Sequence, residues 1–331
     1  MRASWRRAGS LLALACSLLG LLGLLSLSGC ASLSAQQTRA IMANPPADIP
    51  QKVALSATPF FPQDQLQCGP AALATAMSAA GVPTTPESLT RSVFLPGRGG
   101  SLQIEMLAAP RAHGLVSTRI QPSMQALLRE VAAGHPVVVL LNLGLGIYPV
   151  WHYAVVIGYD LSAGDALLRS GTTELQRLPL FTLEHTWSRS GQWAFVTLPP
   201  DQLPASASES DVSDGRVTFE RVAPPAQAAM AYRTALQRWP DSLVLGLGLG
   251  NALMASGDAR AAADVLAPVA QRHDSAAAWN NLATVRLKLG DTQAALDAAQ
   301  RAVSRAQSTE PQWLAAAQAT LAEVRQTLTG K

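Results

Sequence analysis

Cysteine is scarce in this chain: Cys16, Cys30 and Cys68 are the three thiols in 331 residues. No Cys/His cluster has ligand spacing, so a zinc module is excluded and no metal is expected. Surplus charge is also lacking, with 25 Lys and Arg against 22 Asp and Glu, which leaves no basic patch of the kind a nucleic-acid binder needs. Residues 97–100, Gly-Arg-Gly-Gly, lack the following Lys and Ser or Thr of a phosphate loop and read as a turn, so no nucleotide cofactor is expected. What the chain has is apolar residues, 48% of the total, ample for packed cores, and a length that suggests about two domains.

Arg2, Arg6 and Arg7 precede an apolar run over residues 11–27 that ends in Leu27-Ser28-Gly29-Cys30. This resembles the lipobox of bacterial lipoproteins, where cleavage before the cysteine is coupled to its lipidation; the alternatives are an ordinary cleaved signal or a membrane-spanning anchor. Removing residues 1–29 takes away three arginines, so the 25 basic residues fall to 22 and balance the 22 acidic ones. Ala31 follows Cys30, where an aspartate would imply retention in the inner membrane. By resemblance to Gram-negative sorting, the expectation is an outer-membrane lipoprotein facing the periplasm, held by lipid on Cys30. Cys68 then has no intramolecular partner in a compartment that oxidises thiols. A buried cysteine acting as a small hydrophobe is common, but the polar approach Gln63-Asp64-Gln65-Leu66-Gln67 argues against it here.

Residues 30–55 read as a tether. From there Ala71, Ala72, Ala74, Ala76 and Met77 predict a helix from Cys68 to about Ala80, with Gly69 and Pro70 confined to its first turn. Cys68 at a helix N-terminus would face free N–H groups and the positive end of the macrodipole, which favour the thiolate. Thr85 and Pro86 open a second helix, Ser101 is read as the cap of a third, and Pro122 opens a fourth ending at Gly134. Residues 136–143, 151–159, 166–170 and 193–198 are β-branched or apolar runs and read as strands, the third returning antiparallel after the turn at 160–165. Helices followed by an antiparallel sheet make an α+β domain over residues 56–200.

Residues 201–223 read as a linker. Beyond it, over residues 224–331, Ala228, Tyr232, Ala235 and Pro240 are spaced like the second helix of a repeat whose first helix is missing. Leu249-Gly250, Gly257-Asp258 and Ala262 mark a unit from about 243; Trp279, Leu282, Gly290-Asp291, Ala295 and Ala302 mark another from about 276; Trp313 restarts near 310. The spacing resembles tetratricopeptide repeats, whose period is about 34 residues. An array of this kind implies an all-α domain with a concave surface for a peptide or protein partner.

A thiol nucleophile needs a base within reach, a group to orient that base and donors for the oxyanion. Of the five histidines, His152 stands where a loop meets a buried strand, rigid and able to face a cleft. Gln63, then Cys68-Gly69-Pro70-Ala71-Ala72, then Gly134, Pro136-Val137-Val138, then His152-Tyr153-Ala154-Val155-Val156 and Gly158-Tyr159 together resemble the bacteriocin-processing cysteine peptidases, papain-like enzymes that cleave after double-glycine leaders. The resemblance implies Cys68 as nucleophile, His152 as general base and acid, and Gln63 as oxyanion donor beside the Cys68 N–H. The family glutamine usually lies six residues before the cysteine and Gln63 lies five before, which leaves Gln65 and Gln67 open as donors. The family also has an orienting aspartate in the next strand, where this chain reads Leu168-Arg169-Ser170-Gly171. Ser170 matches that position best. Asp160 is too distant, eight extended residues or about 26 Å from His152, while pairing Asp160 with Asp165 sets Thr173 opposite His152 and leaves Ser170 to Glu174 nearby. Two readings follow: a cysteine peptidase whose repeats recruit a protein substrate or partner, and a catalytically silent peptide-binding assembly lipoprotein.

Overall fold

The computed structural model describes residues 35–62 and 67–330. The signal, Cys30 and the segment holding Gln63 and Gln65 lie outside them. Among the described residues no helix is long and apolar enough to cross a membrane.

The N-terminal unit is a seven-stranded antiparallel sheet with helices on both faces. Its strands are β1 (Lys52–Ala54), β4 (Val116–Arg119), β5 (Val137–Asn142), β6 (Trp151–Asp160), β7 (Asp165–Ser170), β8 (Thr173–Pro179) and β9 (Ala194–Leu198), in the order β4-β9-β5-β6-β7-β8 with β1 also paired to β6. The short strands β2 (Phe94–Leu95) and β3 (Gly100–Ser101) form a separate hairpin. Both faces of the central strands are buried, and the pleat sorts their side chains. Val138, Leu140, Tyr153, Val155 and Ile157 pack under α2 (Cys68–Ala79), with α3 (Pro86–Val93) and α4 (Gln103–Ala112) behind it. Val137, Val139, Leu141, Ala154 and Val156 pack under α5 (Met124–Ala132) and α6 (Leu180–Ser188). Burial on both faces explains why these strands read as continuous apolar runs and not as alternating ones.

From residue 35 onward, the stretch expected as a tether holds secondary structure. Within it α1 (Gln36–Ala43) carries the Glu184 carboxylate at its N-terminus, which accepts from the Gln37 and Thr38 N–H groups at 3.1 and 2.6 Å; an anion there satisfies orphan donors and the dipole. Its partner is 146 residues away, so composition alone gave no sign of it. β1 then pairs with the far end of β6, Lys52 opposite Asp160.

Helix starts differ from expectation at two points. Ser123, not Pro122, caps α5 through the Ala126 N–H, and Ser101 belongs to β3 while Leu102 precedes α4 without a side-chain cap. Thr85 caps α3 in a reciprocal box with Ser88.

The expected linker holds α7 (Glu209–Glu220), opened by a capping box between Ser208 and Asp211. Val212 and Phe219 are fully buried, and Phe219 clusters with Val116 of β4 and with Ala231 of α8 (Pro225–Arg238). A Cβ on Gly215 would fall 3.1 Å from the Ser117 carbonyl, so the helix lies close against the strand. Of the polar residues in this stretch, Glu209, Ser210 and Asp214 face outward, while Ser213 and Arg216 are buried in the wedge. α7 also stands where the first helix of the incomplete repeat was missing. After it come the pairs α9 (Leu243–Ala255) with α10 (Ala259–His273) and α11 (Ala276–Lys288) with α12 (Thr292–Ser308), then α13 (Leu314–Thr329). Gly248 and Gly250 of α9 admit Tyr232 and Leu266, whose atoms would lie 2.2 and 2.5 Å from an added Cβ.

Glu130, fully buried on α5, ties residues 205–206 to the sheet unit. It accepts from Ala205 N–H (3.0 Å), Ser206 N–H (2.7 Å), Ser206 Oγ–H (2.6 Å) and His135 Nδ1–H (2.8 Å). Burial alone would raise its carboxyl, but these donors outweigh burial and hold it below the usual carboxylate value. A carboxyl depressed on folding stabilises fully above its unfolded pKa and loses that contribution as pH falls through the folded one. Acid titration of stability should therefore show a loss below the ordinary glutamate range that shrinks in Glu130→Gln. Identical acid profiles for the two proteins would remove Glu130 as its source.

Candidate active site

Cys68 is the first residue of α2 and is half-buried. The first helical N–H groups, at Cys68 and Gly69, have no intrahelical acceptor and point out of the helix end. Gly69 is there because a Cβ would fall 2.2 Å from Ser101 Oγ; its absence lets the β2–β3 hairpin close over the thiol. Gly99, with φ of 60°, makes the turn that brings Ser101 there.

A cleft of about 730 Å³ opens beside the thiol. Its walls are residues 98–104 on one side and Leu140, Trp151, Tyr153 and Ser190 on the other, mostly apolar. The Tyr153 hydroxyl donates to the Ser101 carbonyl at 3.3 Å, linking the two walls. Burial, and then the nearby Cys68 and Glu105, push that hydroxyl above the usual tyrosine range, so it stays a donor. Trp193 packs edge-on against Tyr153 at 5.9 Å and meets Phe195 at 5.2 Å, which fixes the ring.

His152 lies on β6 between Trp151 and Tyr153 but is not among the residues that line the cleft; it pairs across from Leu141, whose side chain packs on the opposite face of the sheet. Its Nε2 is 2.9 Å from Ser170 Oγ. Burial lowers its pKa, so the imidazole is neutral at neutral pH and able to accept a proton. Among the described residues no hydrogen bond joins Cys68 to His152.

The register differs from the expected one. Asp160 does pair with Asp165, but a bulge between Val156 and Gly158 shifts the pairing by one residue, and β7 ends at Ser170, which turns back onto Thr173. Thr173 therefore does not stand opposite His152. Glu174 is exposed and lies 3.8 Å from Arg169. Asp160 bonds Ser162 at 2.6 Å and Lys52 at 3.0 Å. Gln67 is exposed just before the thiol helix.

Sequence reasoning missed the cleft walls. Trp151 and Tyr153 on either side of His152 were a visible signal, since strand residues two apart share a face. Arg169 was missed as well. Its buried guanidinium donates to the carbonyls of Thr58 (2.8 Å), Ser56 (3.2 Å) and Glu174 (2.6 Å), and so holds the strand that bears Ser170 against the segment leading to Cys68.

The sequence model of the Peptidase_C39 like family matches residues 55–194. Among solved structures, a C39-like peptidase from Bacillus anthracis is 20% identical with a TM-score of 0.39, covering 44% of this chain and 97% of its own. The peptidase domain of Streptococcus ComA, a bifunctional ABC transporter of a quorum-sensing pathway, is 20% identical with a TM-score of 0.34, covering 43% and 98%. The Sgt2 tetratricopeptide domain of Aspergillus fumigatus is 16% identical with a TM-score of 0.34, covering 37% and 79%. No curated protein matches the chain. Residues 55–194 thus match the Peptidase_C39 like family model, and the helices from residue 209 onward follow that match.

Proposed function

We propose that this chain, with a C39-like domain at residues 55–194 and helical repeats behind it, is a lipid-anchored periplasmic cysteine peptidase whose repeats recruit a protein substrate or partner. The observation that carries the reading is one arrangement: a thiol at a helix N-terminus, in an apolar cleft, beside a strand whose histidine is held by Ser170.

In the proposed cycle His152 Nδ1 takes the Cys68 proton and the thiolate attacks a peptide carbonyl, forming the C–S bond. Collapse of the tetrahedral species breaks the C–N bond, and the imidazolium gives its proton to the leaving amine. Water then cleaves the thioester, His152 again serving as base, and releases the acid. The α2 N-terminus supplies backbone donors to the oxyanion, with Gln63 as the proposed side-chain donor. Leu102, Leu140, Trp151 and Tyr153 hold the substrate; Ser170 holds Nε2 and leaves Nδ1 as the nitrogen for the thiol proton, a transfer that requires the imidazole to swing from the Leu141 side of β6 to the cleft.

The test is covalent. A peptide carrying a thiol-reactive epoxide should label Cys68, and purified protein should cleave members of a peptide library. Failure of both would leave the second reading, a silent peptide-binding module, which the hydroxyl at position 170 and the unjoined Cys68 and His152 favour.

Ser170 gives a sharper prediction. A carboxylate at its place would stabilise the imidazolium and raise the His152 pKa that burial lowers. Ser170→Asp should shift the acid limb of the pH–rate profile upward and raise kcat/KM on the order of tenfold. A profile and rate identical to the parent would show that Ser170 does not orient His152.

A further inference from the structure

α4, β4 and α7 meet around a cavity of about 150 Å³. Arg111 of α4 lines it, with Ser117 and Arg119 of β4 and Asp211 and Asp214 of α7. β4 is the edge strand of the sheet, paired to β9, so the cavity lies where the sheet ends and α7 covers it. Clefts that take whole drug-sized ligands begin at about 300 Å³, and a water's share of liquid volume is about 30 Å³. This cavity has room for one small group.

Its donors are short of acceptors. Ser117 is 1% exposed, and its Oγ has no hydrogen-bond partner among the described residues. Arg111 is partly buried, and its Nε is shut off from solvent and equally without a partner. Neither Arg111 nor Arg119 belongs to any ion pair among the described residues. Burial, and then the positive charge of nearby Arg221, lower the Arg111 guanidinium pKa. A cation removed from water without a counter-charge is costly, so an anion at this place is stabilising. The acids of the cavity do not supply it. Asp211 is taken by Ser208, whose N–H and hydroxyl donate to its Oδ2 at 3.3 and 2.5 Å, and by the Gln121 side-chain amide. Asp214 is exposed and also belongs to no ion pair among the described residues.

The donor set selects the anion. A guanidinium with a free Nε presents Nε–H and one Nη–H side by side, the spacing of the two oxygens of a carboxylate. The Ser117 hydroxyl adds a third donor. Asp211 and Asp214 on the α7 side limit the charge: one negative charge is drawn by Arg111 and Arg119, whereas a second meets the repulsion of the aspartates. We infer that the cavity between α4, β4 and α7 binds a single carboxylate group, of a small organic acid or of a polypeptide C-terminus, with Arg111 as its clamp and Ser117 as its hydroxyl donor. The site uses neither Cys68 nor His152 and stands apart from the chemistry of the cleft.

The test is thermal unfolding of the full chain titrated with sodium acetate, chloride being exchanged for acetate so that ionic strength stays constant. Parallel titrations use acetyl-Ala-Ala with a free C-terminal carboxylate, the same peptide as its amide, and inorganic phosphate. Acetate should raise Tm in a saturable way, by about 2 °C at ten times its Kd, and the amide should not. Arg111→Gln should abolish the rise, and Ser117→Ala, which removes one hydroxyl, should weaken binding about tenfold. Should Arg111→Gln not fold, the Ser117→Ala result decides alone. Tighter binding of the free-acid peptide than of acetate assigns the site to a polypeptide C-terminus; otherwise its ligand is a small acid. The inference is overturned by the absence of a saturable rise with either carboxylate, by an equal rise with the amide, by tighter binding of phosphate than of acetate, or by a rise that survives undiminished in the variants.

Discussion

Cys68→Ala will cut peptide hydrolysis by at least about a thousandfold while leaving thermal unfolding nearly unchanged. The thiol is the proposed nucleophile of the cleft, so its loss removes the thioester route and leaves binding and oxyanion donors alone. The fold should tolerate the change because Ala is a strong helix former and Cys68 is half-buried at the end of α2, outside the fully buried stretch that Leu73 and Met77 fill. His152→Ala should cost nearly as much, and the double variant little more than either single one, since nucleophile and base act as a unit. The measurement is kcat/KM on any peptide the parent cleaves, beside a melting curve. Full activity in Cys68→Ala would refute the assignment.

Phe219→Ala will destabilise the protein by about 3–5 kcal/mol, the cost of emptying a buried aromatic site. The position is fully buried between β4 and α8, and Arg216 one turn earlier donates to the Gln202 carbonyl at 3.0 Å and reaches Ala231 and Thr118. Because α7 packs on the sheet with one face and on the repeats with the other, the loss should appear in both units. Urea unfolding followed separately at Trp187 and Trp193 of the sheet unit and at Trp279 of the repeats should show both transitions moving together. A shift confined to the repeats would make α7 a repeat helix that merely touches the sheet.

Much of the fold could be read from residue types whose effect is local. Cys68 through Ala79 became a helix because its formers and its early proline agree, and Gly81, with φ of 87°, stops it where expected. The repeat phase was legible because small residues recur where helices touch, as Gly248 does against Tyr232. What was not legible depends on distant partners. α1 relies on Glu184 for its N-terminus, and α7 on β4 for burial, so both segments looked like connectors. The bulge at residues 156–158 belongs to the same class. It moves the pairing by one residue and so takes Thr173 from its place opposite His152, while Ser170, the position the resemblance pointed to, lies 2.9 Å from the imidazole. Gln63 lies outside the described residues, and its role stays with the resemblance that suggested it.

The sharing of α7 also sets a scale. With that helix wedged on both sides, a segment held by the repeats and one held in the cleft would, on the function proposed above, stand a fixed span apart. A polypeptide that occupies both must bridge the span with its own backbone, at most about 3.5 Å per residue. Such a protein would act as a ruler: lengthening the stretch between the captured segment and the scissile bond leaves cleavage possible, whereas shortening it below the span abolishes processing without changing either contact.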